Sequence, residues 1–196
     1  MADRVGETAA DGGVPAGAAR LVAFVNTRHA DGDHLGTPAQ LTAWLHTNGL
    51  LPHEVTATEA ERDRARRVRE GIRALFARNN AEPVASPRPD GLDPAAHAEL
   101  AALTQDLTLT VDVTELPPRL VPTSEAPVDR ALATLLADIA AAAGDGSWTR
   151  LKTCREPSCR WAFYDQSRNR GRTWCSMNLC GNRVKVRASR RKAVGG

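Results

Sequence analysis

Cys154, Cys159, Cys175 and Cys180 are the only cysteines in this 196-residue chain, and their spacing is C-x4-C-x15-C-x4-C. Two close thiol pairs joined by a short loop suit one tetrahedral zinc ion. A segment this small buries too little apolar surface to fold unaided. Four thiolates closing on one structural Zn²⁺ contribute roughly 10–16 kcal/mol of apparent binding energy to folding. The C-terminal segment from residue 150 therefore reads as a zinc-folded module, with Cys154, Cys159, Cys175 and Cys180 as its metal ligands.

Charge divides the chain at the same place. From Arg150 onward there are 13 Lys or Arg against only Glu156 and Asp165, a formal +11 inside a chain whose total is +3. The preceding residues carry the compensating −8. Four thiolates on a divalent ion return about −2 to the tail and leave it strongly cationic. An acidic body thus carries a basic arm, and polyanions are the partners that such an arm attracts.

The first twenty residues contain acids, glycines and alanines but no continuous apolar stretch, so no secretory signal is expected and a cytoplasmic location follows. In that reducing compartment paired cysteines favour metal over disulfide. The apolar-rich run around Leu132 to Ala143 is interrupted by Asp138 and falls short of the ~20 residues of a membrane span.

Residues 1–19 lack hydrophobic periodicity and are expected to form a flexible leader; residues 20–146 form the body. Leu21 to Thr27 is an apolar segment that suits a short helix better than a strand. Thr37-Pro38-Ala39-Gln40 is a capping box with proline at the first helical position, followed by the stripe Leu41, Trp44, Leu45 and a terminating Gly49. Thr58 and Glu61 make a second capping box, and Ala65, Val68, Ile72, Leu75 and Phe76 continue at helical spacing in what should be the longest helix. Its interspersed Glu61, Arg62, Arg66, Arg69 and Glu70 read as a solvated face.

Beyond the Pro-rich stretch Glu82 to Pro89, Asp93-Pro94 should cap a short helix ending near Leu103. Leu107 to Val113 alternates as a half-buried strand, with Arg119 to Thr123 as its hairpin partner. Val128, Leu132, Leu135, Leu136 and Ile139 form a last helical stripe, closed by Gly144 and Gly146. His29-x4-His34 with Asp31 and Asp33 resembles metal-ligand spacing, but a polar turn is the better reading. Trp44 is read as core rather than as the wall of a ligand pocket.

In the basic module, Arg155-Glu156-Pro157-Ser158 favours a turn that lets Cys154 and Cys159 converge. Residues 160–174 should run out and back as a short hairpin whose Trp161-Ala162-Phe163-Tyr164 supplies the zinc core. After Cys175 and Cys180, Asn182 is expected to cap a helix running to Ala193. This order is treble-clef-like, with a zinc-ribbon variant left open. The overall expectation is an α+β chain: a mostly helical N-terminal domain with a β-hairpin, plus a small treble-clef-like four-cysteine zinc finger.

Trp174-Cys175-Ser176-Met177 and Cys180-Gly181-Asn182-Arg183, preceded by Phe163 to Arg170 (FYDQSRNR), resemble the bacterial CGNR zinc finger over residues 150–193. The body, with LVAFVNT at Leu21 and TPAQLTAWL at Thr37, is similar to the ABATE domain that accompanies this finger. The resemblance implies that all four cysteines ligate zinc and that the chain belongs with stress-linked transcriptional regulators.

Arg168, Arg170 and Arg172 before the second cysteine pair, and Arg183, Lys185, Arg187, Arg190, Arg191 and Lys192 after it, are the expected DNA-binding residues. Arg183, Arg187 and Arg190 share one helical face at i, i+4 and i+7 and are candidates for base edges. The functional expectation is a zinc-containing, DNA-binding regulator whose N-terminal domain senses a small-molecule or protein effector, acting on double-stranded DNA, where a homodimer would match paired half-sites. The alternatives are a protein-interaction adaptor and a redox-responsive zinc protein. No phosphate loop, nucleophile motif or catalytically spaced carboxylate pair stands out, and four thiolates fill a tetrahedral site, so catalysis is not expected.

Overall fold

The computed structural model describes residues 13–29, 31–80, 95–156, 158–183 and 186. The leader expected over residues 1–19 falls mostly outside this range, but helix α1 (Ala16–Val25) already occupies its last four positions, and Ala18 is buried. The apolar segment at Leu21 is helical, as its sequence suggested. A miniature antiparallel pair follows, β1 (Arg28–His29) with β2 (Gly32–Asp33).

Helix α2 (Pro38–Thr47) starts at a complete capping box. Thr37 Oγ1 accepts from Gln40 N, and the Gln40 side chain accepts from Thr37 N, so two otherwise unpaired donors are satisfied reciprocally. Gly49, at φ +64°, takes the left-handed conformation that closes the helix. Helix α3 (Glu59–Arg78) repeats the device with Thr58 and Glu61 and, at 20 residues, is the longest helix described. Helix α4 (Ala95–Leu103) packs on α3 so closely that a Cβ on Gly71 would lie 2.6 Å from Leu100 Cβ. The Pro-rich stretch and the Asp93-Pro94 cap lie outside the described residues.

The expected hairpin forms from β3 (Leu109–Asp112) and β4 (Arg119–Pro122), antiparallel with Thr110 opposite Val121. The strand is less buried than its alternation implied: Leu107 is buried and Leu109 half-buried, whereas Val111 and Val113 are exposed. Strand β4 lies on α5 (Pro127–Gly144), and α5 packs against α1. Asp138, which interrupts the apolar run of α5, is paired with Arg20 of α1 at 2.7 Å. No described helix is long and apolar enough to cross a membrane.

The charged face of α3 departs from its solvated reading. Arg69 is fully buried, donating to both oxygens of Asp33 at 2.6 and 3.0 Å, to Thr27 Oγ1 at 3.2 Å and to Glu70 at 2.9 Å. Arg66 adds a second guanidinium to Asp33 at 2.9 Å. The β1–β2 turn is thereby anchored to α3, which supports the polar-turn reading of His29 to His34: Asp33 is committed to arginine, and it also accepts from Leu35 N at 3.0 Å. Burial alone would raise the Asp33 carboxyl pKa, but the hydrogen bond from Arg69 and the neighbouring charges outweigh it and hold it well below the usual carboxylate range.

The core collects Leu21, Phe24, Leu41, Leu45, Val68, Ile72, Phe76, Leu132 and Leu135. Trp44 packs against Phe24, with ring centroids 5.2 Å apart. Leu151 and Ala162 of the cysteine-bearing segment belong to the same core. The cysteine-bearing segment therefore packs its hairpin into the apolar interior of the body.

Candidate metal centre and basic surface

A short 3₁₀ turn (Trp148–Arg150) leads into β5 (Leu151–Thr153), which pairs antiparallel with β6 (Ala162–Tyr164), Lys152 opposite Phe163. The hairpin thus encloses the first cysteine pair instead of lying between residues 160 and 174 as the sequence alone suggests. Cys154 N donates to Trp161 O at 2.8 Å, and Cys159 N to Glu156 O at 2.9 Å, folding the loop so that its two sulfurs face the same way. Arg160, at φ +51°, turns the chain back into β6.

The second pair brackets the start of a π-type turn (Met177–Gly181), with Cys175 two residues before it and Cys180 its fourth residue. Its cap is Ser176, whose Oγ accepts from Leu179 N and whose carbonyl accepts from Cys180 N and Gly181 N at 3.0 Å each. Asn182 was the expected cap, but it already has helical backbone angles and donates from its side chain to Asn178 O. The helix therefore begins six residues earlier than expected; nearly all of its remainder to Ala193 lies outside the described residues.

The four Sγ atoms lie within 4.8 Å of one another, with Cys159–Cys175 and Cys175–Cys180 each at 3.7 Å. Sulfurs about 2.3 Å from a tetrahedral zinc would be separated by about 3.8 Å, so the spacing fits that ion and is far too long for a disulfide. Cys154 and Cys180 are buried and the other two half-buried. Without a cation the four thiols cannot all ionise. Hydrogen bonding from Cys154 pulls Cys159 down to about 5, while burial and the neighbouring thiolate push Cys175 up to about 12. A divalent cation removes this conflict, since every thiolate then faces positive charge.

Asp165 organises the loop between the pairs. Fully buried, it accepts from Lys152 Nζ at 2.8 Å, from Ser167 Oγ at 2.6 Å, and from the backbone N–H groups of Ser167 and Arg172 at 2.9 Å each. Burial would raise its pKa, yet these donors, Lys152 foremost, bring it down to about 2. Lys152, itself 1% exposed, also donates to the Arg170 and Arg172 carbonyls. The FYDQSRNR stretch is thus a loop wound around one buried ion pair. In the sequence alone, Lys152 and Asp165 register only as charges.

Four side chains of the body hold the hairpin by its backbone. Asn26 clasps Ala162, Asn79 donates to Trp148 O and Leu151 O at 2.8 and 2.9 Å, and Asn80 donates to Thr153 O at 2.9 Å. Arg73, 3% exposed, bridges from Glu70 to Arg160 O at 2.8 Å and to Val25 O. The only local signal for these contacts was the Asn-Asn pair after α3, which by itself reads as a helix end. Trp161-Ala162-Phe163-Tyr164 serves this junction: Ala162 is in the common core, Tyr164 packs against it and Trp161 meets the His29 ring edge-on at 5.1 Å.

Of the expected DNA-binding residues, Arg168, Arg170 and Arg183 are exposed. Arg170 donates to Thr149 Oγ1 at 3.0 Å. Arg172 is half-buried, donating to Cys175 O at 2.6 Å and lying over the Phe163 ring at 5.3 Å. It braces the second cysteine pair. Lys185, Arg187, Arg190, Arg191 and Lys192 lie outside the described residues. The two carboxylates of the segment, Glu156 and Asp165, are both 0% exposed, so every exposed charged side chain described from Arg150 onward is a cation.

A CGNR zinc finger model matches residues 150–193. A second family model, ABATE, described as "Putative stress-induced transcription regulator", matches residues 18–145. No curated protein gives a significant match. The shared core, the four converging sulfurs and the two matches, which between them account for nearly every described residue, lead to one assignment: the chain belongs to the ABATE family and ends in a CGNR zinc finger.

Proposed function

We propose that this protein is a DNA-binding transcription regulator in which the zinc finger docks on duplex DNA and the ABATE domain senses an effector inside the cell. The observation that carries this reading is the burial of both carboxylates of the finger. A formal +11 segment whose two acids are withdrawn from solvent exposes cations and no described carboxylate to phosphate. Arg168, Arg170 and Arg183 are its described contact residues. Four thiolates fill a four-coordinate zinc site and leave no position for water, so the ion would be structural, and no catalytic step is proposed.

The structure also offers a rationale for effector control. Asn26, Arg73, Asn79 and Asn80 bind the finger's backbone directly, so a change in α1 or α3 reaches the first cysteine pair through hydrogen bonds. The test is selection of zinc-loaded protein against a random duplex pool at near-physiological salt, followed by sequencing. An enriched motif supports regulation at an operator; retention without enrichment reduces the finger to a general nucleic-acid clamp. Exposed Met177 and Leu179 on the second cysteine turn favour a protein-binding adaptor as the second reading. Absence of DNA retention would bring that reading forward.

A further inference from the structure

The chain is poor in aromatic residues, with four Trp, one Tyr and three Phe. Half of these eight, Trp44, Trp161, Phe163 and Tyr164, line a single cleft of about 690 Å³ between α1, the β1–β2 turn and strand β6. Both imidazoles of the turn, His29 and His34, line it as well, their rings nearly parallel (17°) with centroids 5.7 Å apart. The volume lies within the ~300–1,000 Å³ usual for small-molecule sites, and an apolar, aromatic lining with a few polar groups is the usual composition of such sites. Trp161 is 37% exposed, so part of its ring is open at the cleft.

The polar groups at the cleft differ in availability. Asn26 and Thr27 are spent on Ala162 and on Phe24 O. The Tyr164 hydroxyl and the Gln166 carboxamide have no hydrogen-bond partner among the described residues. His34 and His29 Nε2 add ring nitrogens, His29 Nδ1 being engaged by exposed Asp31 at 3.4 Å, and Asp33 beside them is already neutralised by Arg66 and Arg69. Phe163 is nearly buried with Arg172 over its ring, so Trp161, Trp44 and Tyr164 supply the flat faces on which a flat ring can stack, and the free donors suit an oxygen on the ligand's edge.

We propose that the cleft between α1 and β6 binds a planar aromatic molecule carrying one oxygen-based hydrogen-bonding group, of the phenol or aromatic-acid class, and is the effector site of the regulator. This rests on the sensing half of the function proposed above and gives it a location. Strand β6 is both a wall of the cleft and the partner of β5, and it links Cys159 to Asp165. Occupancy therefore bears on the geometry of the first cysteine pair and on the Asp165 loop that carries Arg168 and Arg170.

Calorimetric titration of zinc-loaded full-length protein with 2-naphthol and with 2-naphthoate tests this, with cyclohexanecarboxylate as the non-planar control. The expected result is saturable binding of at least one naphthyl probe, one per chain, with a Kd at or below about 1 mM, and binding at least about tenfold weaker for the control. Ala23→Phe, on the exposed face of α1 within the cleft, should weaken it about tenfold or more while keeping one zinc per chain and the native melting temperature; Ala19→Phe provides a second blocking variant. Preference for naphthol or naphthoate identifies the neutral or the anionic member of the class. Failure of both probes to bind, equal binding of the cyclohexyl control, or unchanged binding in both variants would overturn the proposal. DNA retention, measured on the same samples, separates the two readings: its loss with probe binding intact removes the regulator and leaves the cleft, whereas retention without probe binding removes the cleft alone.

Discussion

Asn26 grips Ala162 with both ends of its carboxamide, Nδ2 donating to the carbonyl at 2.9 Å and Oδ1 accepting from the N–H at 2.7 Å. The side chain occupies the place of a neighbouring strand on the open edge of β6, so a helix-end residue of the body completes the hydrogen bonding of the finger. Ala162 is fully buried, and water cannot replace the lost partner. Asn26→Ala should therefore cost about 1–3 kcal/mol. Chemical denaturation of the zinc-loaded protein measures this, and an unchanged midpoint would show that the clasp carries no stability.

Lys152 and Asp165 should behave as a unit. Asp165→Asn leaves a buried ammonium without its counter-charge and is expected to cost about 3–5 kcal/mol. Adding Lys152→Met removes that stranded charge and should recover part of the loss. Additive effects of the two changes in a double-mutant cycle would show that the pair is not coupled.

Asp33 gives the body a pH dependence of known sign. Its carboxyl titrates below its unfolded value, so the stabilisation it provides is complete above the unfolded pKa and is lost as pH falls through the lower, folded one. Asp33→Asn should lower stability at pH 7 and flatten the decline in helical circular dichroism signal that the parent protein shows below about pH 4. An equally steep acid limb in the variant would contradict the Arg69–Asp33 assignment.

Cys175→Ser removes one of four ligands and should reduce bound zinc to well below one per chain, with residues 150–183 becoming sensitive to protease. Because Leu151 and Ala162 lie in the common core, the helices should also melt at lower temperature instead of being indifferent to the loss. Zinc analysis with thermal circular dichroism reads both effects.

Local chemistry made much of this molecule legible in its sequence. The boxes Thr37–Gln40 and Thr58–Glu61 span a single helical turn, and the cysteine pairs are local in the same sense, so helix starts and metal ligands could be read directly. Long-range pairing stayed hidden. Arg69 resembles its solvated neighbours until Asp33, 36 residues away, is brought against it, and nothing near Asn26 announces a partner 136 residues later. Ser176 and Asn182 are both good capping residues, and only the wide turn that brings Cys180 towards Cys175 decides between them. Arg172 was grouped with Arg168 and Arg170 by its spacing, yet its position over Phe163 gives it a bracing role.

The most direct test of the cationic finger is the affinity of zinc-loaded protein for duplex DNA measured at several salt concentrations. About six phosphate contacts predict a slope of log K against log salt near −5. Arg168→Ala and Arg183→Ala should each make that slope shallower by about 1 without loss of zinc, while Arg172→Ala should act through stability. A flat salt dependence, or equal affinity after zinc is removed, would contradict the proposal that this surface binds DNA.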